Sequence, residues 1–162
     1  MTVSVSVSEI EVAVAKHLDW RRNMIVPNVS WGLGLAHECD LLAVSRSGYA
    51  HEVEIKVSRS DLLRDQKKDK WKRKQKMIRT LWFAIPRELE ASVPDIPEHA
   101  GVILVWWEEG HREAKCKTLR KPKINTDCRK LRDKEILHLG HLASLRIWSM
   151  KGVENRRRRG LV

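Results

Sequence analysis

Asp40, Glu54 and Lys56 are the residues of this chain whose types and spacing could do chemistry together. Thirteen residues separate Asp40 from the tripeptide Glu54-Ile55-Lys56. In a strand successive side chains alternate, so Glu52, Glu54 and Lys56 would line one face while His51, Val53, Ile55 and Val57 line the other. Carboxylates gathered on one face repel one another unless a cation or Lys56 neutralises them. Oxygen-rich sites of this kind suit Mg²⁺, which keeps several waters and binds through one or two carboxylates plus substrate phosphate. A lysine beside such an ion can hold a water and stabilise charge on a phosphate in the transition state. The chemistry indicated is hydrolysis of a phosphate ester. A solvated strand face carrying three charges is the alternative, and spacing alone leaves both open.

The elements that must position these residues can be read from local patterns. Ser8-Glu9-Ile10-Glu11 reads as a capping box, with Ser8 as N-cap, Glu11 at the third helical position and a helix to about Trp20. Met24 to Ser30 is a short strand, which Pro27 places at an edge or a bend. Glu38 to Ser45 and Tyr49 to Val57 flank a Ser47-Gly48 turn and predict a hairpin that brings Asp40 level with Glu54. Ser58-Arg59-Ser60-Asp61 predicts a helix from there to about Ile78. Thr80 to Pro86 and Gly101 to Trp107 read as buried strands, with loop between Ser92 and Gly101 and a further strand from Glu113 to Leu119. A last helix is expected from about Asp127 to Met150. The order predicts an α/β fold, a mixed sheet flanked by helices. One domain over 1–152 and a basic, flexible tail over 153–162 complete the reading.

The segment Asp40 to Lys56, with the acid on one hairpin strand, ExK at the end of the next and a helix after it, resembles the D…ExK signature of the PD-(D/E)xK nuclease superfamily. A narrower likeness runs from Glu38 to Pro86. HECDLLAV, VEIKVSRSDLLRD, Trp71 and WFAIP are similar to the MmcB-like DNA-repair endonucleases within that superfamily. In that pattern ExKxS is followed by two aspartates, a Lys-Trp and a FAxP strand. Glu54, Lys56, Ser58, Asp61, Asp65, Trp71 and Phe83-Ala84-Pro86 stand at those places. The chain departs from it after Asp65, where QKKDKW replaces a tighter Asp-x-Lys-Trp, and after Trp71, where KRKQKM follows.

The resemblance implies a restriction-endonuclease-like sheet and metal-dependent cleavage of DNA, in repair or recombination, leaving a 5′-phosphate and a 3′-hydroxyl. By it, Asp40, Glu54 and the carbonyl of Ile55 would bind Mg²⁺ or Mn²⁺, and Lys56 would position the attacking water. Many members add an acid from the first helix, and Glu11 is the candidate, although a capping box needs a Glu there for structure alone. Glu38 and Glu52 share faces with these residues and read as solvated carboxylates, while His37 and His51 fall on the opposite face and read as poor metal ligands.

The whole-chain totals agree with a polyanionic partner. The 162 residues carry 32 Lys and Arg against 21 Asp and Glu, a formal net charge of +11. That excess favours nucleic acid. Seven of the ten residues from Lys67 to Lys76 are cationic, and Arg156 to Arg159 add a second basic run. Lys and Arg on phosphate give sequence-independent, salt-sensitive affinity. DNA is therefore the expected partner, with a homodimer left open, since cutting both strands takes two sites. Three cysteines without CxxC spacing suggest neither a disulfide framework nor a zinc site. With no signal-peptide pattern and no long apolar run, a cytoplasmic protein that does not cross a membrane is expected. A nucleic-acid-binding protein on a nuclease-like fold that does not cut, and an RNA-processing factor, are the competing readings.

Overall fold

The computed structural model describes residues 4–30, 33–35, 37–66 and 75–161, apart from the side chains of Asp65 and Gln66. Trp31-Gly32, Trp71 and the cationic run from Lys67 through Lys74 lie outside the described residues. The elements follow in the order α1 (Val7–His17), β1 (Met24–Val29), β2 (Cys39–Val44), β3 (Ala50–Ile55), α2 (Arg59–Gln66) and β4 (Ile78–Pro86). A 3-10 helix (Arg87–Asp95), β5 (Gly101–Trp106), β6 (Lys115–Arg120) and α3 (Asp133–Arg158) complete the chain.

The strands form one open six-stranded mixed sheet whose spatial order is the chain order. β1, β2 and β3 are antiparallel neighbours, β3–β4 and β4–β5 are parallel, and β5–β6 is antiparallel. The parallel pairs require crossovers, which α2 and the 3-10 helix help to supply. Pro27, which has no N–H to donate, lies on the edge strand β1 as its chemistry demands.

Both faces of the sheet are covered. Leu41, Val53, Ile55, Ala84, Ile103 and Val105 pack against Ile10, Ala13 and Val14 of α1. On the other face, α3 brings Leu139 onto Val26, Leu42, Val44 and Ala50, while α2 brings Leu62 onto the layer of Phe83, Ile85 and Leu104. Glu52 pairs with Leu81 and Glu54 with Phe83, so the two acids interrupt the apolar pattern of this second face.

Several boundaries differ from the expected ones, each for a physical reason. α1 is capped by Ser6, whose hydroxyl accepts from the Glu9 N–H while Glu9 reaches back to the Ser6 N–H. The overlapping Ser8/Glu11 box is not used. With Ser6 as cap, Val5 and Ile10 occupy the staple positions and both are buried in one cluster. With Ser8 as cap, those positions would fall to Val7 and Val12, which are exposed. α2 does begin at Ser58, whose hydroxyl accepts from the Asp61 N–H at 3.2 Å. It does not reach Ile78, because Ile78 opens β4 by pairing with Ala50 and is buried.

The stretch expected as loop from Ser92 is in part the 3-10 helix, which ends at Asp95. The last helix starts later than expected, at Asp133, where the Glu135 carboxylate accepts from the Arg132 N–H at 2.7 Å. It then continues through Arg158, so residues 153–158 are helical rather than a separate tail.

Candidate metal and phosphate site

The site lies where β2 and β3 run out. Their ladder ends at Leu41↔Val53, and continuing the register places Asp40 beside Glu54. There the Asp40 side chain takes over from the backbone, its Oδ2 accepting the Ile55 N–H at 2.7 Å. A charged acceptor makes this a strong bond, and it pins the acid to the first residue after Glu54. Asp40 and the ExK segment are thus brought together by the hairpin.

Glu54 and Lys56 lie on one face, as strand alternation requires. Lys56 Nζ donates to Glu54 Oε2 at 3.0 Å, with 13% of the lysine side chain exposed. Both Glu52 and Glu54 are only 2% exposed, which is rare for carboxylates unless they are paired. The solvated reading of Glu52 is therefore overturned. His37 Nε2 hydrogen-bonds Glu52 Oε1 and lies 3.8 Å from Glu54 Oε1. His37 belongs beside the acids rather than across the sheet from them. It precedes the first residue of β2, so strand alternation does not govern where its ring points.

The nitrogen of Gln75 lies 3.4 Å from His37 Nδ1, at the other side of the ring. His51 does face away, its Nδ1 being 2.7 Å from Thr80 Oγ1. Glu38 is exposed, in keeping with the solvated reading.

Glu11 lies on α1, half-buried and close enough to Asp40 for their charges to interact. Burial raises its carboxyl above the ordinary carboxylate range, and the negative charge of Asp40 raises it further. Glu9 holds the capping position, so the structural duty expected of Glu11 falls away. Cys39 is buried under the same charges. Burial, then the neighbouring Glu52 and Glu54, push its thiol well above the usual range, and its Sγ donates to the Leu41 carbonyl at 3.3 Å.

Two donor sets meet at Glu54. The first consists of Asp40, Glu54 and the Ile55 carbonyl, hard oxygens suited to Mg²⁺ or Mn²⁺. The second is His37, Glu52 and Glu54, whose ligand atoms all lie within 4.8 Å of one another. It is the group of three metal-ligating side chains that converges among the described residues.

Trp106 is stacked under Arg87, with the guanidinium 3.6 Å from the ring centroid, and Trp107 packs in the α1 layer. Both indoles belong to protein packing. Arg156 to Arg158 lie in the exposed last turn of α3, followed by its C-cap Arg159. Asn155, Arg156, Arg158, Arg159 and Leu161 line a shallow concavity there. Among the described residues no helix is long and apolar enough to cross a membrane.

No family model and no curated protein matches the chain. A solved structure, the SPO1766 protein of unknown function from Silicibacter pomeroyi, is similar in fold, with a TM-score of 0.60 at 16% sequence identity. The likeness covers 97% of this chain and 94% of that one, so it extends over the whole sheet and its flanking helices.

Proposed function

We propose that this chain is a metal-dependent endonuclease of the PD-(D/E)xK type, with a restriction-endonuclease-like sheet, acting on DNA phosphodiesters. The observation that carries the reading is the placement of Lys56. Its ammonium is held on Glu54, itself next to the Ile55 N–H that binds Asp40, so all three parts of the D…ExK pattern gather at one strand end. Asp40, Glu54 and Ile55 would hold Mg²⁺ or Mn²⁺. Such an ion, when bound, lowers the pKa of water and offsets charge on a phosphoryl oxygen.

The protein groups have separable tasks. Lys56 orients water and faces the charge that builds on the phosphate. Asp40 and Glu54 fix the orientation of the centre, and the Asp40–Ile55 bond keeps the strand ends from parting. Glu11, held protonated to higher pH than an ordinary carboxyl, stands where it can exchange a proton or join the acidic set. The basic residues of α3, with the run from Lys67 to Lys76, would hold the DNA backbone.

One observation favours the competing reading of a protein that binds nucleic acid without cutting it. Lys56 on Glu54 already balances part of the buried negative charge within the protein, and His37 hydrogen-bonds Glu52. Duplex, single-stranded and branched DNA and RNA oligonucleotides, incubated with Mg²⁺, separate the two. The endonuclease reading predicts cleavage of DNA that disappears in Glu54→Ala while DNA affinity survives. Salt-sensitive binding of every substrate with no cleavage of any would establish the binding protein, and cleavage confined to RNA would move the function to RNA processing.

A further inference from the structure

We propose that His37, Glu52 and Glu54 form a site for a divalent transition metal with an imidazole ligand, of which Mn²⁺ is the probe. Glu54 is shared with the proposed nuclease centre, but this site does not depend on DNA cleavage. The argument begins with convergence. One nitrogen and two carboxylate oxygens come within 4.8 Å of one another, and the His37 to Glu54 separation is 3.8 Å. Ligands about 2.1 Å from a common ion stand roughly 3 to 3.5 Å apart, so the groups need to move only by fractions of their present spacing.

The second observation is burial. Glu52 and Glu54 are each 2% exposed, and His37 has 10% of its side chain exposed, so the donors face inward together. Burying two carboxylates side by side costs heavily unless positive charge joins them, and Lys56 supplies one such charge, at Glu54. Lys56 meets Glu54 at Oε2, while Oε1 is the oxygen that lies 3.8 Å from His37 Nε2.

The third is the outer partner. A metal on Nε2 displaces the proton shared with Glu52, so the neutral ring carries its proton on Nδ1. Gln75 lies at that atom, and turning its amide over would offer the oxygen as acceptor. Imidazole suits Fe²⁺ or Zn²⁺, the two carboxylates suit Mn²⁺, and Mg²⁺ demands near-ideal octahedral geometry with oxygen ligands. Asp40 is not among the three residues whose ligand atoms converge in this set.

The test uses the full chain loaded with Mn²⁺ and pulsed electron paramagnetic resonance, which detects a directly bound ¹⁴N. The wild type should bind Mn²⁺ more tightly than Mg²⁺ and show the nitrogen coupling. His37→Ala should abolish the coupling and weaken Mn²⁺ by roughly tenfold or more, a loss at least as large as that of an outer-shell partner. Glu52→Gln, which keeps the side-chain shape, should weaken Mn²⁺ but leave the nitrogen coupling on the fraction bound.

Bound Mn²⁺ without nitrogen coupling, coupling that survives His37→Ala, or no binding at millimolar Mn²⁺ would each overturn the assignment. Circular dichroism of each variant separates loss of ligand from loss of fold. Nitrogen-coupled Mn²⁺ in a protein that cuts no DNA would sink the nuclease reading and keep this one. Mg²⁺-dependent cutting unaffected by His37→Ala, with no nitrogen coupling, would do the reverse.

Discussion

Asp40 offers the sharpest separation of a structural duty from a chemical one. Its Oδ2 accepts the Ile55 N–H at 2.7 Å, so deleting the side chain strands that donor at the end of β3. A hydrogen bond to a charged group contributes about 1.5–3 kcal/mol, so Asp40→Ala should cost about that much. At about 2–4 °C per kcal/mol for a chain of this size, the melting temperature should fall by about 3–12 °C. Asp40→Asn keeps a carbonyl acceptor at the same place and should cost no more than about 1 kcal/mol.

The Asn variant also removes the charge that, after burial, raises Glu11. A carboxyl raised in the folded state makes stability fall as pH climbs from its ordinary value near 4.5 through its folded value. Asp40→Asn should flatten that fall. Thermal unfolding followed by circular dichroism, at several pH values above 4.5, reads both effects, and DNA cleavage by the same samples reads the third. Cleavage should vanish in Asn as fully as in Ala. Equal destabilisation by both variants would refute the hydrogen-bond argument, and full cleavage by Asp40→Asn would refute its role as a ligand.

Glu135 is gripped by both Arg129 nitrogens at 2.7 and 2.8 Å, which holds its carboxyl down at about 2. Relative to the ordinary 4.5, this lowered value gives stability that is present above about pH 4.5 and lost as pH falls towards 2. Arg129 is more than a third exposed, and solvent screening reduces the gain to about 1–2 kcal/mol. Glu135→Gln should therefore lower the melting temperature by about 2–8 °C at pH 7 and by little near pH 2. Gly101 has no room for a methyl group: a Cβ would lie 2.4 Å from the Trp82 ring and 2.9 Å from Pro122. Gly101→Ala should cost about 1–3 kcal/mol in a urea titration, and an unchanged midpoint would contradict this packing. Replacing Arg156 to Arg159 with serine should reduce the slope of log affinity for DNA against log salt, by at most about 3.6 if all four meet phosphate. An unchanged slope would remove the end of α3 from the DNA surface.

The hairpin was legible because its signals are local. Ser47-Gly48 marks the turn, and Gly48 adopts the positive φ of 84° that the turn needs. The alternation of Glu52 and Glu54 with Val53 and Ile55 then puts the acids on the face opposite the α1 layer. What local pattern could not supply was the competition between overlapping signals. Two capping boxes overlap at residues 6–11, and only tertiary burial of Val5 and Ile10 selects between them.

The end of α2 was hidden for a similar reason. The pattern carried a helix to Ile78, whereas parallel pairing with Ala50 commits that residue to β4. Leu145, Ile147, Trp148 and Met150 are exposed, so apolar periodicity does not mark where α3 ends. His37 was missed because it stands outside the strand whose alternation was used to place it. A histidine two residues before a strand that ends beside two acids was the available signal.

Metal-dependent nicking of supercoiled plasmid is the most direct measurement of the central claim. Wild type and Lys56→Ala would be run side by side with Mg²⁺, with Mn²⁺ and with EDTA. The account predicts open-circular product with either metal, none with EDTA, and loss of nicking in Lys56→Ala although the variant still folds. Nicking that persists in EDTA, or that is unchanged in Lys56→Ala, would contradict it.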